Sequence, residues 1–360
     1  SILITNTLLR VKQNAKQYSK NTVINNFLKI FFIIFAYYIL NIKNIQVIVI
    51  SLLVAEMVQY IYIFHKVGLK KYYRRKLLNK DIVKKMFLFG FPLMGVTVTT
   101  WILNVSDRYI IQFFYTSTEV GLYSYAYSLG NSLFSLLIQF IMLGAYPSIV
   151  RAWENGGREK AQEVIKTYLR IYFLIIIPAC VGVIGVAKNF FEAFTDIQYQ
   201  GSYMIFIITC IGIAALGLTQ YSNKAWELKE KTRNILILNI IAAIINIALN
   251  FIFIPTIGYE MGAVTTLVAY VLYFIISLIW SRNFFTLKVD YKSLLKIILA
   301  SAVMYLAILG IDQFNFNVIL KLALQILTGI VVYGIMLIVT RELNLKELKN
   351  MRNNLTNRTS

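Results

Sequence analysis

The sequence predicts an all-α, polytopic integral membrane helix bundle of about ten transmembrane helices. Three observations carry that expectation. Apolar residues make up 58% of the chain and its mean hydropathy is +0.66, well above a soluble domain of 360 residues. About ten apolar runs follow one another, each near the ~20 residues that cross ~30 Å of hydrocarbon. Lys and Arg, 36 in all against 16 Asp and Glu, gather in alternate segments between those runs.

The runs are 23–40, 45–64, 86–111, 122–150, 168–186, 203–220, 235–255, 261–280, 294–311 and 318–340. The segments 1–22, 66–85, 151–166, 224–233, 282–292 and 341–360 carry nearly all the cations. The opposite side has Lys43, Arg108, Lys188 and, at a helix start, Lys321. The rich side is therefore expected in the cytoplasm, with both termini. Trp153, Trp226 and Trp280 fall at that side's helix ends, as interfacial anchors would. A formal charge of +20 could suggest nucleic acid, but such a binder gathers its cations on one face of a soluble domain. Positive-inside topology explains the placement instead.

The linker 65–85, HKVGLKKYYRRKLLNKDIVKK, puts Leu69, Tyr72, Tyr73 and Leu77 on one helical face among cations. It reads as an amphipathic helix on an anionic leaflet, either anchoring the chain or recruiting an anionic substrate. His65 stands alone as the one histidine and reads as solvated loop. Cys180 and Cys210 lie inside apolar runs and read as small core residues. Neither a metal-ligand cluster, a Gly-rich phosphate loop nor a paired-carboxylate site is visible, so no cofactor is expected and the chain does not read as an enzyme. The tail 341–360 begins as a helix former and ends polar.

Charges inside the runs are few and informative. Lys29 and Glu56 fall at similar depth in antiparallel neighbours. They form a structural pair, or Lys29 snorkels, or Lys29 is a cationic site for an anionic substrate group with Glu56 tuning it. Three neutral polar stripes recur at steps of three and four. The first is Thr97, Thr100, Asn104 and then Asp107 or Arg108; the second is Ser124, Ser128, Asn131, Ser135 and Gln139; the third is Asn239, Asn246 and Asn250. In a helix facing lipid on its other sides, such stripes are expected to look inward. Asp107 and Arg108 either snorkel to the outer interface or line a path, and the asparagines of the third stripe bond between helices or line water. Pro92 and Pro178 would bend their helices, and Gly258 and Gly262 permit a tight outer turn.

The wording around these stripes resembles a family. Pro92, Asp107-Arg108, then VGLYSYA at 120–126 and AYPSIVR at 145–151 are similar to the seventh and eighth helices of the polysaccharide flippases of the multidrug/oligosaccharidyl-lipid/polysaccharide exporter superfamily. NIALNFIFIPTIGYEMGAVTT at 246–266 is similar to a second pattern of that family. The resemblance implies a partial two-lobe exporter fold that lacks about the first four of the usual fourteen helices. On it, 1–64 is the end of an N-terminal lobe, 65–85 the linker, 86–281 a six-helix C-terminal lobe, 282–340 two additional helices and 341–360 a cytoplasmic tail. It further implies a flippase of the bacterial cytoplasmic membrane that moves undecaprenyl-pyrophosphate-linked oligosaccharide for capsule or O-antigen synthesis by alternating access. Its partners would be that lipid-linked oligosaccharide, membrane lipids, and a glycan polymerase or glycosyltransferases of the same pathway. The substrate path implied is Asn104, Arg108, Asp107, Lys29, Glu56, Thr100, Asn131, Gln139, Asn246 and Asn250. The rivals are a cation-coupled multidrug antiporter of the same superfamily, using Asp107 or Glu56, and a non-transporting scaffold subunit.

Overall fold

The structure is a computed structural model and describes residues 15–39, 45–67, 80–282 and 284–342. The expected amphipathic linker helix and the polar tail fall largely outside them. The chain divides into two compact units, Ser1–Lys85 and Met86–Ser360.

In the first unit α1 (Ala15–Ile34) runs into a single π-helical turn, Phe35–Ile39, and is followed by α2 (Ile45–Val67). The two are antiparallel: Gln59 donates to the Asn21 carbonyl at 2.8 Å, and Lys29 Nζ donates to Glu56 Oε1 at 3.1 Å.

The second unit begins with α3 (Lys80–Phe114, from residue 86 onward), then α4 (Ser117–Phe194) and the short α5 (Ile197–Gln200). There follow α6 (Tyr203–Ser222), the short α7 (Lys224–Glu227), α8 (Thr232–Ile257), α9 (Met261–Ser281), α10 (Tyr291–Asp312) and α11 (Val318–Val339). Among the described residues seven helices are long and apolar enough to cross a membrane. One of them, α4, has 78 residues, or about 117 Å at ~1.5 Å per residue, long enough for two crossings. It folds back at Gly157, whose φ of 63° and ψ of −151° leave helical space at a position where glycine carries no Cβ penalty. Ser148 Oγ meets Tyr168 OH at 3.1 Å and Tyr125 packs on Phe191, so the arms are antiparallel. The polar stretch 151–166, read from sequence as a connecting segment, is thus the helical tip of a hairpin. Its Ala, Glu, Gln, Lys and Arg are good helix formers, and hydropathy reports only the part that lies in hydrocarbon.

The core is one cluster of large side chains from α3, α4, α6, α8 and α9, including Tyr123, Tyr127, Phe134, Tyr172, Phe191 and Tyr270. Trp226 belongs to it and is buried, whereas Trp280 stays partly exposed; only the latter fits an interfacial anchor. The pair α10–α11 packs on the second arm of α4 and is fastened at both ends. At one end Asn189 donates to Asp312 (3.1 Å) and to Gln325 (2.9 Å). At the other, Arg170 donates to the Glu342 carboxylate and carbonyl, both at 2.7 Å.

Candidate polar site of the second unit

The α3–α4 turn sets the site. Thr116 caps α4, accepting from the Thr118 N–H while Glu119 accepts from the Thr116 N–H. A turn this short places residues equally far from Tyr115 side by side, so Asp107 meets Tyr123. Asp107 is fully buried, and its carboxylate accepts from Tyr123 OH at 2.7 Å, Asn250 Nδ2 at 2.6 Å and Thr266 Oγ1 at 2.9 Å. Gly262 makes room: a Cβ there would stand 3.2 Å from the Tyr123 ring. Asn246 donates to Thr266 (3.0 Å) and accepts from Ser106 (3.2 Å), and Thr265 donates to Asn250.

Further along α3 the same pattern continues. Asn104 Oδ1 accepts from Tyr127 OH (3.0 Å) and Tyr270 OH (3.4 Å). Thr100 donates to Asn239 (3.3 Å), and Asn239 donates to Tyr273 OH (2.9 Å). Asn223 also donates to Tyr273 (2.8 Å), and Ser277 donates to Ser222 (2.8 Å). A polar seam therefore runs through the unit from Asp107 to Ser222. In hydrocarbon an unmatched buried donor or acceptor costs several kcal/mol, which is why these side chains pair so fully. No Lys or Arg among the described residues hydrogen-bonds to Asp107; its bonded partners are two hydroxyls and an amide.

Two expectations are corrected here. Asp107 does not snorkel: it ties α3 to α4, α8 and α9. The second stripe does not look into the unit's core. Ser128 and Gln139 are exposed, and Ser124, Asn131 and Ser135 half-buried. The inward face of α4 is held instead by Tyr123, Tyr127, Gly130, Phe134, Ile138 and Ile141. The serine stripe sits one residue on, about 100° around the helix.

Arg108 belongs to the open side. Its guanidinium donates to the Asn104 carbonyl and to Ser128 Oγ, both at 3.2 Å, and lies 5.2 Å from the Tyr127 ring centre. Its Nε is buried without a hydrogen-bond partner, and no carboxylate among the described residues forms an ion pair with it. Asn131 accepts from Ser135 at 3.1 Å. Lys29 and Glu56 lie in the other unit, with side chains 29% and 53% exposed. Asn246 and Asn250 are enclosed in the seam. The partners that sequence reasoning missed are Tyr123, Tyr127, Thr266, Tyr270 and Tyr273. The last three share a face of α9 with Ser277 at steps of four, three and four, a signal that was there to be read.

This is the fold of the multidrug/oligosaccharidyl-lipid/polysaccharide exporter superfamily. It matches "Lipid II flippase MurJ, inward closed conformation" with a TM-score of 0.68 at 21% identity, over 89% of this chain and 67% of that one. It matches a multidrug resistance MATE family transporter of the superfamily in its outward-facing conformation (0.59, 15%, over 78% and 64%) and a superfamily transporter from Pyrococcus furiosus (0.60, 14%, over 78% and 65%). The chain thus spans about two thirds of the length of these structures. No curated protein matches the sequence. The model of the family described as "Polysaccharide biosynthesis protein" matches residues 1–204, and the chain belongs to that family. It is a multi-pass membrane protein.

Proposed function

We propose that the protein is a flippase, not an enzyme, and moves a lipid-linked oligosaccharide carried on undecaprenyl pyrophosphate across the bacterial cytoplasmic membrane for surface polysaccharide synthesis. One observation carries this reading: the Arg108 guanidinium, unpaired with any carboxylate among the described residues, heads an open stripe of neutral polar side chains. A planar guanidinium suits a pyrophosphate because it donates parallel hydrogen bonds from a permanent charge. Ser124, Ser128, Asn131, Ser135 and Gln139 suit sugar hydroxyls, and Thr100 and Asn104 back them. A hydrophobic drug would need none of these groups. The name of the lipid II flippase and the polysaccharide family both point to a lipid-linked sugar. Its partners are then that substrate, bilayer lipids and the glycan polymerase or glycosyltransferases of one pathway. Alternating access supplies the motion.

The basic segments are cytoplasmic in this reading, with both termini. Single cysteines at Asp196 and Gly258 label with an impermeant reagent from outside, and one at Lys229 does not; the reverse pattern overturns the orientation.

A second reading, a cation-coupled multidrug antiporter, is favoured by Asp107. A buried carboxylate without a bonded cationic side chain is the group that a proton or a small hard cation would neutralise. Gene deletion separates the two. Loss of surface glycan with lipid-linked oligosaccharide held on the inner face supports the flippase. Drug hypersensitivity with normal glycan supports the antiporter, and neither phenotype supports a scaffold.

A further inference from the structure

The turn between α7 and α8 gathers charge and aromatic surface at the basic end of the second unit. Buried Trp226 packs edge-on against Trp280 (ring centres 5.7 Å apart) and Phe284 (5.5 Å). The Lys231 N–H donates to the Trp226 carbonyl at 2.8 Å and closes the turn, with Glu230 in left-handed backbone at φ 56°. A glutamate has no side-chain reason to prefer that region, so the surrounding packing holds it there.

The consequence is a convergence of cations. Lys229 Nζ lies 4.2 Å and Lys231 Nζ 5.2 Å from the centre of the same Phe284 ring. Neither forms an ion pair with a carboxylate among the described residues, because Glu227 is taken by Lys224 at 2.5 Å. Each ammonium is attracted by the ring, yet the two repel one another. The α8 helix starts at Thr232 beside them. No side chain caps it at Lys231, its first turn holds no acidic residue, and Arg233 adds a further cation. The positive end of a 26-residue helix thus points to the same place. Nothing in the cluster balances this charge except Glu230, which is exposed.

We propose that Lys229, Lys231 and the start of α8 form a discrete site for the phosphate of an anionic lipid headgroup, with Phe284 and Trp280 against the lipid's glycerol and upper chains. It rests on the membrane-transporter reading but not on the identity of the cargo. The ligand is a lipid rather than free phosphate because half of the site is aromatic and Trp280 is partly exposed beside it, as an interfacial ring would be. The ammonium groups act as point charges on phosphate oxygens.

The test uses the purified protein in vesicles that carry the same lipids in both leaflets, so orientation does not enter. Trp101→Phe and Trp153→Phe leave Trp226 and Trp280 as the fluorescent reporters. Phosphatidylglycerol with brominated chains is the probe, and phosphatidylcholine with the same chains the reference. At equal mole fraction the anionic lipid quenches several-fold more strongly, the scale expected of two lysines at a membrane surface. Lys229→Gln with Lys231→Gln removes the preference, while Lys229→Arg with Lys231→Arg keeps it. Both positions are exposed, and size-exclusion profiles check that the variants stay folded. A preference that survives the double Gln change reports only a diffuse basic surface and overturns the site. So does equal quenching by the two lipids in the parent protein. Erasure of the preference by millimolar inorganic phosphate overturns the lipid assignment. Surface glycan export is measured separately, so a failed flippase reading and a failed lipid site give different results.

Discussion

Two sets of polar side chains share α3 and the first arm of α4, and they follow opposite rules. The seam from Asp107 to Ser222 is enclosed, and nearly every donor in it has an acceptor on a neighbouring helix. The stripe from Arg108 to Gln139 is open, and its strongest donor keeps a buried Nε without a partner. Adjacent residues, Asp107 and Arg108, mark the border. Matching within the unit is what holds helices together where no water is present; the Arg108 guanidinium has no carboxylate partner among the described residues and reaches an exposed serine. Polarity alone does not distinguish structure from function here. Satisfaction does.

The largest expected effect comes from removing the centre of the seam. Asp107→Ala leaves Tyr123 and Thr266 donating to nothing and Asn250 with only its 3.3 Å bond to Asn246, and each buried orphan costs about 1–3 kcal/mol. The expected outcome is little protein in the membrane by immunoblot, with partial recovery in Asp107→Asn, which keeps one acceptor. Normal accumulation of Asp107→Ala with transport alone lost would move Asp107 from the seam to the transport machinery.

Gly262→Ala tests the same seam without touching a polar group. The added methyl meets the Tyr123 ring at 3.2 Å and displaces its hydroxyl from Asp107, a shift costing about 1–3 kcal/mol for an overpacked site. A lower thermal midpoint of the detergent-purified protein is the outcome expected, and Tyr123→Phe in the same background adds little further loss because the bond to Asp107 is already broken. If Gly262→Ala melts with the parent, the fit of ring to helix is loose and the seam is less demanding than described.

Much of this was legible in the sequence. The all-α membrane class follows from hydropathy, and the 3–4 spacing on α3 and α8 marks two faces that do pair, Thr100 with Asn239 and Asp107 with Asn250. Spacing defines a face but not its neighbour, which is why the α4 serines were expected inside. The tyrosines that hold the inward face count as apolar in a hydropathy window, so their hydroxyls were invisible as partners. Trp226 failed for a related reason: position at a helix end does not tell whether a ring turns to lipid or to core.

The open stripe is sharpened by Arg108→Ala. Because the guanidinium makes two hydrogen bonds among the described residues, both to exposed or half-buried neighbours, the protein accumulates normally. Surface glycan in the complemented deletion strain, normalised to membrane protein, falls about tenfold or more, the equivalent of one ~1.4 kcal/mol contact to the substrate. Arg108→Lys keeps the charge, loses the fork and exports partially. Normal export by the alanine variant makes Arg108 an interfacial anchor.

The smallest effect is expected at Lys29 and Glu56, and it decides which rule governs the other unit. Their ion pair is 3.1 Å long, yet the Glu56 side chain is 53% exposed and has too short a stem to snorkel far. Half of a carboxylate facing hydrocarbon would be costly, so the pair is predicted to meet water and to follow the rule of the stripe rather than that of the seam. An ion pair in water contributes about 0.2–1 kcal/mol. Lys29→Ala, Glu56→Ala and the double variant should therefore accumulate alike, with a coupling energy below about 1 kcal/mol in a double-mutant cycle on thermal unfolding. Strong loss in each single variant with recovery in the double is the signature of a charge stranded in low dielectric. That pattern would place Lys29 and Glu56 under the rule of the seam, paired to hold two helices together and closed to any substrate.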